Sequence, residues 1–151
     1  MSAGNNEKFF LHTLEKQFGV GVLGGKRNFN NHQQGSDKVT ISVDQSIELP
    51  NGKTLLIEID SANMAKLLVG QYVLLNGLIS SEKENQVFLV VHYYKDYNPQ
   101  RTEKNLHEIR RLYNSSNWLK YCAIHKNELD ELVSICNTVD DFVAVIWDRA
   151  F

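Results

Sequence analysis

Asn51-Gly52 stands between two short extended runs, and that dipeptide limits what the chain around it can become. Asn-Gly supplies the positive backbone angles of a tight hairpin turn. Before it runs DQSIEL, and after it TLLIEID. Side chains alternate faces along a strand, so Leu56, Glu58 and Asp60 share one face while Leu55, Ile57 and Ile59 share the other. Closing the hairpin at Asn51-Gly52 brings Asp44 back beside the strand end where Glu58 and Asp60 emerge. Three carboxylates are then expected at one end of a sheet. Buried unpaired carboxylates are costly. A cation relieves the repulsion, and hard oxygen ligands with room for waters suit Mg²⁺ or Mn²⁺.

The flanking segments supply an α/β framework. Residues 6–18 predict an amphipathic helix with Phe10, Leu11, Leu14 and Phe18 inward. Gly19–Gly25 reads as a loop; it lacks the Lys-Ser/Thr ending of a phosphate loop. Asn28–Ser36 reads as a polar loop, in which His32, Gln33 and Gln34 either face base edges or are simply solvated. Val39, Ile41 and Val43 alternate as a strand. Residues 62–76 predict a helix with Met64, Leu67, Leu68, Gln71, Leu74 and Leu75 on one face, capped by Ser61 or Asn63. Gln86–Tyr94 reads as a strand buried on both faces. Residues 100–113 predict a helix with Leu106, Ile109, Leu112 and Tyr113 inward. WLKYCAIH predicts a strand, NELDELVSIC a helix with Asn127 as N-cap, and DDFVAVIW a last strand. The order is helix, three antiparallel strands, then alternating helices and strands. It implies one α/β domain over residues 1–151, with helices flanking a mixed β-sheet.

Composition excludes several classes. The chain has 151 residues, 42% hydrophobic and 23% charged, with a formal net charge of -2. It is not a polybasic nucleic-acid binder as a whole. Two cysteines without paired Cys/His clusters speak against a structural zinc and against a disulfide framework. No stretch approaches the ~20 apolar residues of a membrane span, and no signal peptide is read at the N-terminus. A cytoplasmic location without membrane attachment is the expectation.

Asp44, thirteen intervening residues, and Glu58-Ile59-Asp60 resemble the PD-(D/E)xK nuclease superfamily, which includes restriction enzymes, junction resolvases and repair nucleases. The resemblance covers roughly residues 7–95 in pattern. It implies a restriction-endonuclease-like core of αβββαβ order, followed here by further α/β elements. By the same resemblance Asp44 and Glu58 ligate the metal, although Val43 replaces the proline before the first acid. Asp60 stands where the family usually has lysine; it implies a further oxygen ligand or a base. Lys66, on the following helix, is then cast in the lysine's role, and Gln71 resembles a glutamine that some members carry there. Glu15 resembles an acid that some members add from the first helix. The implied activity is divalent-metal-dependent hydrolysis of DNA phosphodiesters, in a homodimer or a larger complex. The missing lysine leaves open a nuclease fold without catalysis, binding nucleic acid or protein within a larger complex.

Each of these residues also has a plainer reading. Glu58 and Asp60 suit a solvated edge strand, Asp44 a strand end, Lys66 a solvated helix face and Gln71 a polar core contact. His92 and His125 read as satisfied structural histidines. Between Lys95 and Lys126 seven basic side chains face three acidic ones, interleaved with tyrosines. Arg101, Lys104, Arg110 and Arg111 in that stretch suit either a phosphate backbone or a solvated helix face.

Overall fold

The computed structural model describes residues 2–151. Its first helix, α1 (Ala3–Phe18), is followed by β1 (Arg27–Asn30), β2 (Thr40–Val43), β3 (Gln45–Glu48) and β4 (Thr54–Asp60). Then come α2 (Ala65–Leu78), β5 (Gln86–His92), α3 (Gln100–Leu112), β6 (Lys120–His125), α4 (Lys126–Ile135) and α5 (Val139–Arg149). The strands form a four-stranded sheet of order β3-β4-β5-β6 and a separate ribbon, β1-β2. β3 and β4 are antiparallel around the Asn51-Gly52 turn, where Gly52 takes φ +89°. β4, β5 and β6 are parallel, so each pair needs a crossover, which α2 and α3 provide.

Both crossover helices lie on one face of the sheet. Leu68, Tyr72 and Leu75 of α2 and Leu106 of α3 pack there against Leu56, Phe88, Val90 and Tyr121. On the other face Phe10 and Leu14 of α1, Leu129 and Val133 of α4, and Phe142, Val143 and Ile146 of α5 cover Leu55, Ile57, Leu89 and Ile124. The fold is therefore an α/β sandwich of a mixed sheet between two helical layers. β5 is its centre, and Val87–His92 are all buried. That is why QVFLVVH is nearly continuously apolar rather than alternating.

Several expectations need correction. DDFVAVIW is not a strand but lies in α5. Its residues are apolar at both period two and helical period, and the preceding Thr138 decides between them. Thr138 accepts from the Asp141 backbone N–H, and the Asp141 carboxylate accepts from the Thr138 N–H, a reciprocal capping box. Beyond β6 the edge is met instead by Phe151, which exchanges two backbone hydrogen bonds with Tyr121. Thr138→Ala should cost about 1 kcal/mol in urea denaturation.

The loop expected at residues 28–36 begins as strand β1. Consequently β2 pairs with β1, not with β3 or β4, and the expected three-strand antiparallel run is divided between ribbon and sheet. On α2 the inward face is Ala65, Leu68, Tyr72, Leu75 and Asn76, while Met64, Leu67 and Leu74 are exposed. The helix starts later than expected, at Ala65, and its packing against Leu56, Phe88 and Tyr121 of the sheet buries the Leu68-Tyr72-Leu75 stripe. Leu11, Leu112 and Tyr113, expected inward, are exposed. Neither Ser61 nor Asn63 caps α2, whose N-cap position is Met64. α4 is capped by His125, whose ring accepts from the Asn127 N–H, rather than by Asn127. Among the described residues no helix is long and apolar enough to cross a membrane.

Candidate functional site

Asp44 is the single residue between β2 and β3. There the chain leaves one pairing partner for another. One step beyond the Gln45↔Ile57 pair, the β3-β4 register sets Asp44 opposite Glu58. One step beyond Arg27↔Val43, the β1-β2 register sets Lys26 opposite Asp44. The Gly24 N–H donating to Ser46 O at 2.8 Å shows that the second register does continue past the ribbon. Lys26, Asp44 and Glu58 thus form one row across the strands.

The glycines before Lys26 make this row possible. A Cβ at Gly24 would stand 2.9 Å from the Ser46 hydroxyl, and Gly25 takes φ +86°. The Gly25 N–H donates to Gln45 Oε1 at 3.0 Å, and the Ser46 hydroxyl donates to Gly25 O at 2.9 Å. The glycine-rich segment is a tether that lies against β3 and delivers Lys26.

Asp44 is held by the backbone of the residue after Glu58, and Glu58 in turn by the backbone of Asp44. Asp44 Oδ2 accepts from the Ile59 N–H at 2.9 Å. Burial raises the Asp44 carboxyl above its ordinary range, while that N–H and the positive charge of Lys26 pull it back. Burial also raises Glu58, to about 7, and the neighbouring Asp44 charge raises it further; the Gln71 amide and the Asp44 N–H work the other way. The Gln71 amide nitrogen donates to Ser42 O at 2.9 Å, fixing α2 to the end of β2. Glu58 Oε2 is buried with no hydrogen-bond partner. An orphaned carboxylate oxygen in a partly desolvated pair is costly unless protonated or bound to a cation.

Asp60 leads elsewhere. It faces His92 across the β4-β5 register, and His92 Nδ1 lies 2.9 Å from Asp60 Oδ2. The other ring nitrogen, Nε2, lies 2.8 Å from the Thr102 hydroxyl, itself 2.9 Å from the Tyr97 hydroxyl. The imidazole is fully buried and stacked on Tyr97 with centroids 3.9 Å apart. Beside this chain the Arg101 guanidinium donates to Asn63 Oδ1 at 2.8 Å. Asp60 therefore anchors the start of α3 to the end of β4.

The remaining expected residues are dispersed. Lys66 is the second residue of α2 and exposed; the charges acting on Asp44 are Lys26 and Asp60, not Lys66. Glu15 lies on α1, in the helical layer across the sheet from the face that Leu56 and Glu58 share. On α3, Lys104 is exposed, Arg110 donates to Phe151 O, and Arg111 is paired with Glu108 at 2.6 Å. Among the described residues no group of three or more His, Cys, Asp or Glu side chains is placed to hold a metal ion. The residue that sequence reasoning missed is Lys26. Its signal was the strand-like RNFN after GGK, which sets Lys26 in register with Asp44.

No protein family, curated protein or solved structure matches this chain.

Proposed function

We propose that the protein is a divalent-metal-dependent nuclease acting on DNA, with Asp44 and Glu58 holding the metal. The observation that carries this reading is the Asp44–Glu58 pair, in which Glu58 Oε2 is buried without a partner. Two carboxylates with waters completing the shell would suit Mg²⁺ or Mn²⁺. When bound, such an ion would polarise a phosphodiester and neutralise its developing charge. The chain's own part is positional. Asp44 is oriented by the Ile59 N–H, and the Gln71 amide favours ionised Glu58. Lys26 brings a positive charge to the same row, where it would stabilise an anionic phosphoryl group. Asp60 supports the site from the side, through His92, rather than as a third ligand.

Element order supports a restriction-endonuclease-like core. A helix precedes antiparallel strands, the first acid stands at the junction of β2 and β3 and the second on β4, a helix follows, and the next strand is parallel to β4. Cutting both strands of a duplex calls for two such sites, hence a homodimer or a larger complex.

Calorimetric titration with Mn²⁺ and nicking of supercoiled plasmid test the proposal. The wild type should bind one ion per chain and nick the plasmid. Asp44→Asn and Glu58→Ala should abolish both. Lys26→Ala should slow nicking at least tenfold, and Lys66→Ala no more than twofold. Undiminished cleavage by Glu58→Ala would sink the idea. A second reading, a nuclease fold without catalysis, is favoured by the engagement of Asp60 with His92 and the absence of lysine at that position. It predicts no Mn²⁺ binding at millimolar concentration.

A further inference from the structure

The β1-β2 ribbon has no role in metal binding, yet its tip is ordered from within. Asn31 Nδ2 donates to Asp37 O at 2.9 Å, and Asn31 Oδ1 accepts from the backbone N–H groups of Val39 and Gln33 at 3.0 and 3.3 Å. The Asn31 backbone N–H closes the loop on Val39 O at 3.1 Å. One side chain thus ties both sides of the connection between the strands. His32, held by its N–H to Asn30 Oδ1 at 2.8 Å, takes φ 59°, a left-handed conformation uncommon for residues other than glycine. The result is a fixed tip on which His32, Gln33 and Gln34 are exposed.

The side chains at the tip can hydrogen-bond to base edges. Glutamine amides pair with a donor and an acceptor at once, and a two-stranded ribbon is narrow enough for the major groove of B-DNA. Between Gly19 and Val43 the charged residues are Lys26, Arg27 and Lys38 against Asp37 alone, a positive bias suited to phosphates. A polar cavity of about 260 Å³ runs beside the ribbon, lined by Arg27, Asn30, His32, Ser80 and Ser81 among others.

We propose that the β1-β2 ribbon is the DNA-reading arm of this protein, entering the major groove of a duplex with His32, Gln33 and Gln34 against base edges. The ligand class rests on the nuclease reading, but the arm's binding is separable from metal chemistry. β2 runs directly from the tip to Asp44. The five steps from Val39 to Asp44 span about 17 Å at ~3.3 Å each.

Fluorescence anisotropy on a labelled duplex in EDTA measures the arm without cleavage. His32→Ala/Gln33→Ala/Gln34→Ala in one chain should weaken duplex binding at least tenfold and leave Mn²⁺ binding unchanged. Asn31→Ala, which unties the loop, should weaken duplex binding similarly. The triple variant alters only exposed tip residues, and an unchanged melting temperature verifies its folding. Duplex binding within twofold of wild type in that variant overturns the proposal, as does a wild type that binds no duplex. Tip-dependent binding by a wild type that takes up no Mn²⁺ would uphold the arm and refute the nuclease.

Discussion

Glu58→Gln should stabilise the protein at pH 8 and leave its stability unchanged at pH 4. The Glu58 carboxyl titrates near 4.5 when exposed and at about 7 in the fold, chiefly because it is buried and secondarily because Asp44 is beside it. Below pH 4.5 the group is protonated in both states and contributes no pH dependence. Between pH 4.5 and 7 the unfolded chain releases the proton while the folded protein keeps it, so stability falls as pH rises. At ~1.4 kcal/mol per unit of difference the loss approaches about 3 kcal/mol and is complete above pH 7. Glutamine keeps the shape without the charge and removes this loss. In EDTA the melting temperature at pH 8 should rise by roughly 6–12 °C. A stability–pH slope in the variant equal to that of wild type would assign the effect to another group. Millimolar Mn²⁺ should restore stability to the wild type at pH 8 and do nothing for the variant. One substitution would thus strengthen the fold and end the proposed activity.

The second large effect is expected at His92. Its imidazole is fully buried, stacked on Tyr97, and hydrogen-bonded at both nitrogens. His92→Ala removes a ring from a closed interior and strips Asp60 and Thr102 of their shared partner. A cavity and newly unsatisfied polar groups together cost about 3–5 kcal/mol. His92→Phe retains most of the volume and loses both hydrogen bonds, so it should cost about 2–3 kcal/mol. Urea denaturation of the two variants separates packing from polar satisfaction. A loss under 1 kcal/mol for His92→Ala would mean that the chain from Asp60 to Tyr97 does not hold α3 to the sheet. Because the network joins the end of β4 to the start of α3, both variants should also raise hydrogen exchange in Gln100–Leu112.

Much of this framework was legible without coordinates, because it depends on local rules. The turn at Asn51-Gly52 needs only two residues that tolerate positive backbone angles. The division of TLLIEID into an apolar face and a Leu56-Glu58-Asp60 face follows from strand periodicity. The approach of Asp44 to Glu58 follows from both together. The buried character of β5 was visible in its unbroken apolar run.

What only the tertiary structure decided lies where two patterns competed or where partners came from distant segments. DDFVAVIW suits strand and helix equally, and Thr138 with Asp141 tips it towards helix. Lys66 is near Asp60 in sequence, and the packing of α2 on the sheet leaves it exposed in the first turn. Lys26 looked remote, eighteen residues before Asp44, yet the ribbon's register sets it directly opposite. The neighbour of Asp60 could not be read from the chain around it; the parallel register of β4 and β5 sets His92 beside it. Turn chemistry and side-chain alternation act over a few residues and are written in order along the chain. Which charge meets which carboxylate is settled by strand registers and helix packing, and those are properties of the whole fold.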